Sequence, residues 1–260
     1  MQIATWNVNS IRARKERVLA WLAAQQPDVV CLQETKVTDD VFPRADFEAL
    51  GYQVIVSGQP TYNGVAILSR AAPLDIRRGF DDGEEEREAR FLAATVAEVR
   101  VLCVYVPNGQ VVGSDKFAYK LAWLGRLRRY LEQHCDPAGL LALCGDLNVA
   151  PEPQDVHDPA AWQDTVLFHP EARAALRDLC AWGLVDAFRL HHSEGGLYSW
   201  WDYRQLAFPK NQGLRIDHIL VTQSLAALCT GARIDREARK GKGASDHTPV
   251  VAVFSDPADQ

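Results

Sequence analysis

Leu140-Leu141-Ala142-Leu143-Cys144-Gly145-Asp146-Leu147-Asn148 is an apolar run that stops at a glycine and two side chains able to do polar chemistry. Five apolar residues suit a strand inside a sheet. Gly145 permits a sharp exit or the close approach of a ligand, and Asp146 and Asn148, two apart, project to one side while the chain stays extended. Taken alone, the stretch fits a strand closed by an Asx-type turn, which Asp and Asn favour. Three other strand-like segments ending in the same kind of polar group point to more than a turn.

The first of these is Gln2 to Trp6, which ends at Asn7-Val8-Asn9. A helix follows over Arg14 to Gln25, with Val18, Trp21 and Leu22 at helical spacing and a stop before Pro27. Asp28-Val29-Val30-Cys31-Leu32-Gln33-Glu34 is then a second buried strand ending in a carboxylate, and strand, helix, strand is how an α/β protein begins. Gln53 to Ser57 and Val65 to Ser69 flank Tyr62-Asn63-Gly64, and Phe91 to Val96 and Val99 to Tyr105 form a further pair, so close in sequence that antiparallel hairpins and mixed sheets are expected.

Ser114 or Asp115 can cap a helix running to about His134, with Phe117, Leu121, Leu124, Leu127 and Leu131 as its apolar stripe. Lys116, Lys120, Arg126 and Arg129 on the other side read as a solvated face. After Asp146 come about 20 residues with little periodicity and several prolines, a length of irregular chain that tends to be functional. Glu171 to Ala181 reads as helix and Val185 to Phe188 as extended chain. A second irregular stretch runs from Tyr198 to Lys210. Arg215 to Val221 and Val250 to Phe254 supply the late strands, with Ser245-Asp246-His247 just before the last.

A chain of 260 residues with 47% hydrophobic content can bury a large core, and a single domain over 1–260 is expected. The first residues lack a basic region followed by an apolar core, and the longest uninterrupted apolar run is Val101 to Val106, so neither a standard signal peptide nor a membrane-spanning helix is expected. The six cysteines show no C-x-x-C spacing, and Cys31, Cys103 and Cys144 lie in apolar runs. They read as buried free thiols in a reducing cytoplasm. The net charge of −6 argues against nucleic-acid binding through bulk positive charge, so any such contact must come from local basic patches. Asp81 to Glu88 carries −5 of that charge and reads as a solvated loop.

Asn7, Glu34, Asp146 with Asn148, and Asp246-His247 thus stand at strand ends, with Asp217 inside an apolar strand. Glu34, Asn7 and the aspartates are hard oxygen donors, suited to Mg²⁺ or Mn²⁺ and hence to phosphate chemistry. Adjacent side chains on an extended chain face opposite ways, so His247 is expected to be oriented by Asp217 rather than by Asp246. A buried Asp is costly unless paired, and an imidazole N–H suits it. A purely structural Asp-His pair fits the same residues.

Thr5-Trp6-Asn7-Val8-Asn9, Leu32-Gln33-Glu34-Thr35-Lys36, Tyr62-Asn63-Gly64-Val65-Ala66, Tyr105-Val106-Pro107-Asn108, Gly145-Asp146-Leu147-Asn148, Trp200-Trp201-Asp202-Tyr203-Arg204, Gly213-Leu214-Arg215-Ile216-Asp217 and Ser245-Asp246-His247 together resemble the exonuclease III family of DNA-repair nucleases. The match in order and spacing covers nearly the whole chain. The resemblance implies a four-layered α/β sandwich of the DNase I-like type: two mixed β-sheets face to face, flanked by helices, with a divalent-metal phosphodiesterase site at one edge.

Carried over residue by residue, it implies that Glu34 holds the metal with Asn7 beside it, that Asp146 orients and deprotonates the attacking water, and that Asn148 positions it. His247, held by Asp217, and Tyr105 would donate to the scissile phosphate, with Asp246 near the metal or leaving group. Arg12, Lys36, Asn63, Asn108, Arg204 and Lys210 would contact the DNA backbone. Trp200, Leu214 and Ile216 fall where the family builds an apolar pocket for a flipped-out abasic sugar.

The implied activity is 3′-to-5′ exonuclease action on double-stranded DNA by a cytoplasmic monomer, with AP endonuclease and 3′-phosphatase action beside it. Two alternatives stay open: another phosphodiesterase of the same superfold, and a non-catalytic DNA-end-binding protein. Set against the family it resembles, the chain has Leu167 where a glycine or serine is usual and Trp162 where an asparagine can occur. The bulk of Leu167 either narrows the pocket against abasic sites or simply packs into the core.

Overall fold

The computed structural model describes residues 1–84 and 88–255, so part of the acidic loop, residues 85–87, lies outside the described residues. The first half of the chain forms β1 (Gln2–Asn7), α1 (Ile11–Gln25), β2 (Val29–Gln33), α2 (Arg44–Glu48), β3 (Gln53–Ser57), β4 (Val65–Ser69), β5 (Leu74–Arg78), β6 (Phe91–Val96), β7 (Val99–Tyr105) and α3 (Asp115–His134). The second half forms β8 (Leu141–Asp146), α4 (Pro159–Trp162), α5 (Pro170–Cys180), β9 (Leu184–Asp186), β10 (Trp200–Trp201), β11 (Gly213–Leu214), β12 (Asp217–Thr222), α6 (Gln223–Ala226), β13 (Cys229–Ile234) and β14 (Val250–Phe254).

Two six-stranded sheets result, in the orders β13-β14-β1-β2-β4-β3 and β5-β6-β7-β8-β12-β9. Each has one parallel pair at its centre, β1 with β2 and β7 with β8, and antiparallel neighbours elsewhere. Each parallel pair is closed by a helix, α1 or α3, because parallel neighbours need a long crossover. The sheets therefore repeat a βαβ unit that shares no recognisable sequence between its copies.

Central strands are buried on both faces. In β8, Ala142 and Cys144 enter the layer between the sheets, while Leu141 and Leu143 face α3 and α5. In β1, Ile3 faces the other sheet, and Ala4 and Trp6 face α1. Four layers follow from this two-sided burial. A 15-residue helix such as α1 is marginal alone. It is held by Val18, Trp21 and Leu22, each contributing on the order of 1.5–3 kcal/mol by burial. Its N-terminus lies at Ile11, earlier than the apolar spacing alone predicts, because Ser10 accepts from the Ala13 amide. Cys31, Cys103 and Cys144 are buried free thiols, whereas Cys135, Cys180 and Cys229 are only half-buried.

Two readings need correction. β5 and β13 were not legible, because both are edge strands with little buried surface to impose alternation. The solvated face of α3 is solvated only in part. Lys116 and Arg129 are exposed, but Lys120 and Arg126 are buried, and Arg126 pairs with Asp82 at 2.7 Å. The acidic loop is correspondingly anchored, by Asp82 on Arg126 and by Glu88 on Arg90 at 2.7 Å.

The irregular chain after β8 is tied to the second sheet by a buried charge cluster. Arg215 is 1% exposed; its Nε donates to Asp155 Oδ1 at 2.7 Å, and its Nη1 to Asp186 Oδ2 at 2.6 Å and to His218 Nδ1 at 3.0 Å. His218 Nε2 donates to the Val149 carbonyl at 3.0 Å, and Arg189 adds a second cation to Asp155. Burial alone would raise both carboxyls, but Arg215 holds Asp155 and Asp186 below the usual carboxylate range.

Arg215→Met should lower the unfolding free energy by about 3–5 kcal/mol at neutral pH, measured by urea titration, because it strands buried carboxylates. The folded pKa values lie below the unfolded value of about 3.9, so this stabilisation is full above that pH and is lost as pH falls through the folded values. The gap between parent and variant should shrink in acid. A gap that stays constant from pH 7 to pH 3 would remove the ion cluster from the account.

Candidate active site

The topology brings the polar residues to one edge. β1, β2, β7 and β8 run the same way within their parallel pairs, so their C-terminal ends carry Asn7, Glu34, Tyr105 and Asp146. β12 is antiparallel to β8 and starts where β8 ends, pairing Asp217 with Asp146. β14 is antiparallel to β1, so the segment before it delivers His247 to the same place.

Gly145 is required by close approach, since a Cβ there would lie 2.0 Å from the Val104 carbonyl oxygen across the parallel pair. Gly64, with φ +89°, is held against Thr35, whose Oγ1 would lie 2.2 Å from a Cβ. Around this rim Asn9, Glu34, Lys36, Asn63 and Asn148 adopt left-handed φ between 44° and 57°. Such conformations are costly for residues with a Cβ and gather at sites held by their surroundings.

One of the side chains that link the two sheets, Asn7, does so at the rim of the site. The amide nitrogen of Asn7 donates to Glu34 Oε1 and to Asp146 Oδ2, both at 2.9 Å, while its oxygen accepts from the Asn9 amide. Asn7 thus presents donors to the carboxylates, and its oxygen is turned away from them. Glu34 Oε2 also pairs with Lys36 Nζ at 2.8 Å.

His247 Nδ1 donates to Asp217 at 2.8 Å, and Ser199 Oγ donates to the same carboxylate at 2.6 Å. Its Nε2 points at Asp146 Oδ2, 3.7 Å away. Burial opposes charging of His247, but Asp217 and then Asp146 outweigh it and raise the imidazole to about 10. Burial raises Asp146 to about 7, with His247 pulling the other way. Tyr105 stays a phenol, pushed well above its ordinary value by burial and then by Glu34 and Asp146. Arg90 lies over its ring, 4.7 Å from the centroid.

Asn148 is in a left-handed turn, so the chain is not extended there. Its backbone N–H donates to Asp146 Oδ1 at 2.9 Å, which is the Asx-type geometry that the sequence also allowed. Its side chain is fixed by donation to the Val106 carbonyl at 2.9 Å and by accepting from Asn108 at 3.2 Å.

Glu34, Asp146 and His247 have potential ligand atoms within 4.8 Å of one another, a group able to hold a metal ion. Asp246 stands outside it, accepting from Asn9 Nδ2 and Trp200 Nε1 at 3.0 Å each. Burial would raise its carboxyl; His247 and these donors hold it below the usual range.

The residues expected to meet DNA differ in exposure. Arg12, Asn108, Arg204 and Lys210 are exposed, whereas Asn63 is buried and donates to Gln59. Trp200 lines a cleft of about 230 Å³ with His157, Trp162, Arg204 and Gln212. Leu214 and Ile216 are buried in the core cluster that also contains Leu167, which is 6% exposed. Leu167 therefore packs as a core residue. Asn9, Ser199 and Lys120 were missed as parts of the site. Asn9 lies inside a quoted motif and Ser199 directly before one, but nothing local shows what they bond.

A family model described as the endonuclease/exonuclease/phosphatase family matches residues 4–247. Exodeoxyribonuclease III of Haemophilus influenzae is 38% identical, covering 98% of this chain and 100% of that protein. An AP endonuclease from Archaeoglobus fulgidus superposes with a TM-score of 0.96 at 43% identity, over 98% of this chain and 100% of that one. The 3′-5′ exonuclease NExo from Neisseria meningitidis gives 0.94 at 41% identity and the same coverages, as does the 3′ phosphatase NExo from Neisseria bound to a product DNA hairpin. With the matched span running from the first strand to the histidine of the site, and the two-sheet architecture shared throughout, this chain belongs to the endonuclease/exonuclease/phosphatase family.

Proposed function

We propose that this protein is a divalent-metal-dependent DNA-repair phosphodiesterase that degrades double-stranded DNA from 3′ ends and also acts at abasic sites and 3′-phosphates. The observation that carries the reading is the Asn7 amide joining Glu34 and Asp146 from two sheets, opposite an imidazole fixed by Asp217. The Glu34 carboxylate, converging with Asp146 at this buried edge, is a hard oxygen donor that fits Mg²⁺ or Mn²⁺ and would hold it. When bound, the cation supplies charge neutralisation at the phosphate.

The chain's own groups account for the rest. Asp146 accepts a proton from the attacking water, aided by the burial that raises its pKa to about 7, close to the working pH of a general base. The Asn148 amide, locked by Val106 and Asn108, orients that water. His247 in its charged form and the Tyr105 phenol donate to the phosphate oxygens as negative charge builds. Asp217 and Ser199 fix the imidazole so that Nε2 faces the reaction. Arg12, Lys36, Asn63, Asn108, Arg204 and Lys210 position the DNA backbone, as local contacts on a chain of net charge −6. Among the described residues no helix is long and apolar enough to cross a membrane, and a cytoplasmic monomer fits the reading.

Metal-stripped protein should lose cleavage of a recessed 3′ end and regain it with Mg²⁺, and Glu34→Gln should need more metal for half-maximal rate. Full activity in chelator would end the metal assignment.

Asp146→Asn and His247→Ala should each lower turnover by roughly two to four powers of ten with DNA binding largely kept. Because Asp217 acts through His247, the double substitution should cost much less than the product of the single effects. Multiplicative losses in rapid-quench assays would show that the two do not work as a pair.

For the balance of activities, Leu167→Gly is the control variant. Leu167 is buried in the core cluster and is not among the residues lining the cleft at Trp200. The variant should lose about 2–5 kcal/mol of stability through the cavity it leaves, while the ratio of abasic-site incision to 3′-end removal stays unchanged. A selective gain of incision would show that leucine bulk narrows the pocket.

A further inference from the structure

Lys120 sits in α3 with no exposed surface, and among the described residues its ammonium meets no carboxylate. It donates instead to three backbone carbonyls: Asn148 at 2.6 Å, Val166 at 2.6 Å and Asn108 at 3.2 Å. In its protonated form the amine brings three N–H donors to three acceptors, which fully satisfies the group. The carbonyls belong to three separate loops: the one after β7, the one after β8, and the irregular chain before α5. Leu167, next to Val166, accepts from the Ala150 amide at 2.8 Å, so the last two loops are stitched on either side of the ammonium.

Burying an unpaired cation is expensive and is tolerated where its hydrogen bonds fix something needed. What is fixed here is the backbone of Asn148, whose left-handed turn points its N–H at Asp146 and its side-chain oxygen at Asn108. Asn108 is held from the same ammonium. The aliphatic stem is packed closely, since a Cβ on Gly109 would lie 3.1 Å from the Lys120 Cδ.

We propose that Lys120 is a positioning residue of the phosphodiesterase site: by clamping the Asn108, Asn148 and Val166 carbonyls it holds the Asn148 amide in line with Asp146. The proposal rests on the function put forward above. Lys120 touches no substrate and acts through Asn148.

The test is Lys120→Met, which keeps length and apolar packing but removes all three donors. On a 3′-recessed duplex with Mg²⁺, kcat should fall by about 10- to 100-fold, the range that sub-ångström to ångström misplacement of a reacting group produces. KM and the DNA dissociation constant should stay within about threefold, with an unchanged circular dichroism spectrum, because a group acting only in the transition state is lost.

In an Asn148→Ala background the same substitution should change kcat by less than about threefold, since one residue then has nothing left to position. Lys120→Gln, which keeps two donors on a shorter stem, should fall between parent and Lys120→Met, and it takes the place of that variant if Met does not fold. A parent that cleaves no DNA with Mg²⁺ would sink the proposed function itself. A parent that cleaves while Lys120→Met cleaves equally fast would overturn the positioning role. So would a loss that multiplies with Asn148→Ala, or failure of both Lys120 variants to fold.

Discussion

A desolvated carboxylate sets the conditions that the rest of the site must meet. Asp146 ends a strand buried on both faces, so its charge is withdrawn from water, and its pKa rises to about 7. It remains usable because donors and a cation surround it: the Asn7 amide from the facing sheet, the Asn148 backbone N–H, and the imidazolium of His247. Each of these needs its own support. His247 stays charged because Asp217 and then Asp146 outweigh its burial, and Asp217 is tolerated in the core because His247 and Ser199 donate to it.

The architecture supplies this convergence cheaply. Two βαβ units, one in each sheet, end four strands at one edge, and each contributes a pair of polar residues there: Asn7 with Glu34, and Tyr105 with Asp146. The antiparallel partners β12 and β14 reach the same edge from the other direction. Backbone packing between the central strands is close enough that Gly145 has no room for a side chain, which keeps Tyr105 and Asp146 in register across β7 and β8.

Loops hold the remaining parts, and here buried cations do what apolar packing cannot. Carbonyl groups at loop ends have no ladder partner and must be satisfied. Lys120 satisfies three of them, and Arg215 with His218 ties the chain after β8 to the start of β12. These cations lie within the fold, whereas Arg12, Arg204 and Lys210 are exposed to solvent, Arg204 beside Asp202 at 3.4 Å. A protein of net negative charge can thus still present positive groups where a polyanion would dock.

The central strands, the long helix with its Ser114 cap and the polar ends at Asn7, Glu34 and Asp146 were legible in the sequence, because two-sided burial writes itself as continuous apolar runs and a carboxylate at the end of such a run stands out. Asp246-His247, read as a fourth strand end, instead precede β14. The pairing of His247 with Asp217 was legible too, from the cost of burying an Asp and the opposed directions of adjacent side chains. Edge strands β5 and β13 were not, since solvent on their exposed sides imposes no pattern. Nor was Lys120, because a lysine on the polar side of an amphipathic helix looks solvated until the loops that cover it are in place. Which donor faces which acceptor across the two sheets, as in Asn7 to Asp146, is a relation between residues 139 positions apart, and only closure of the tertiary structure brings them together.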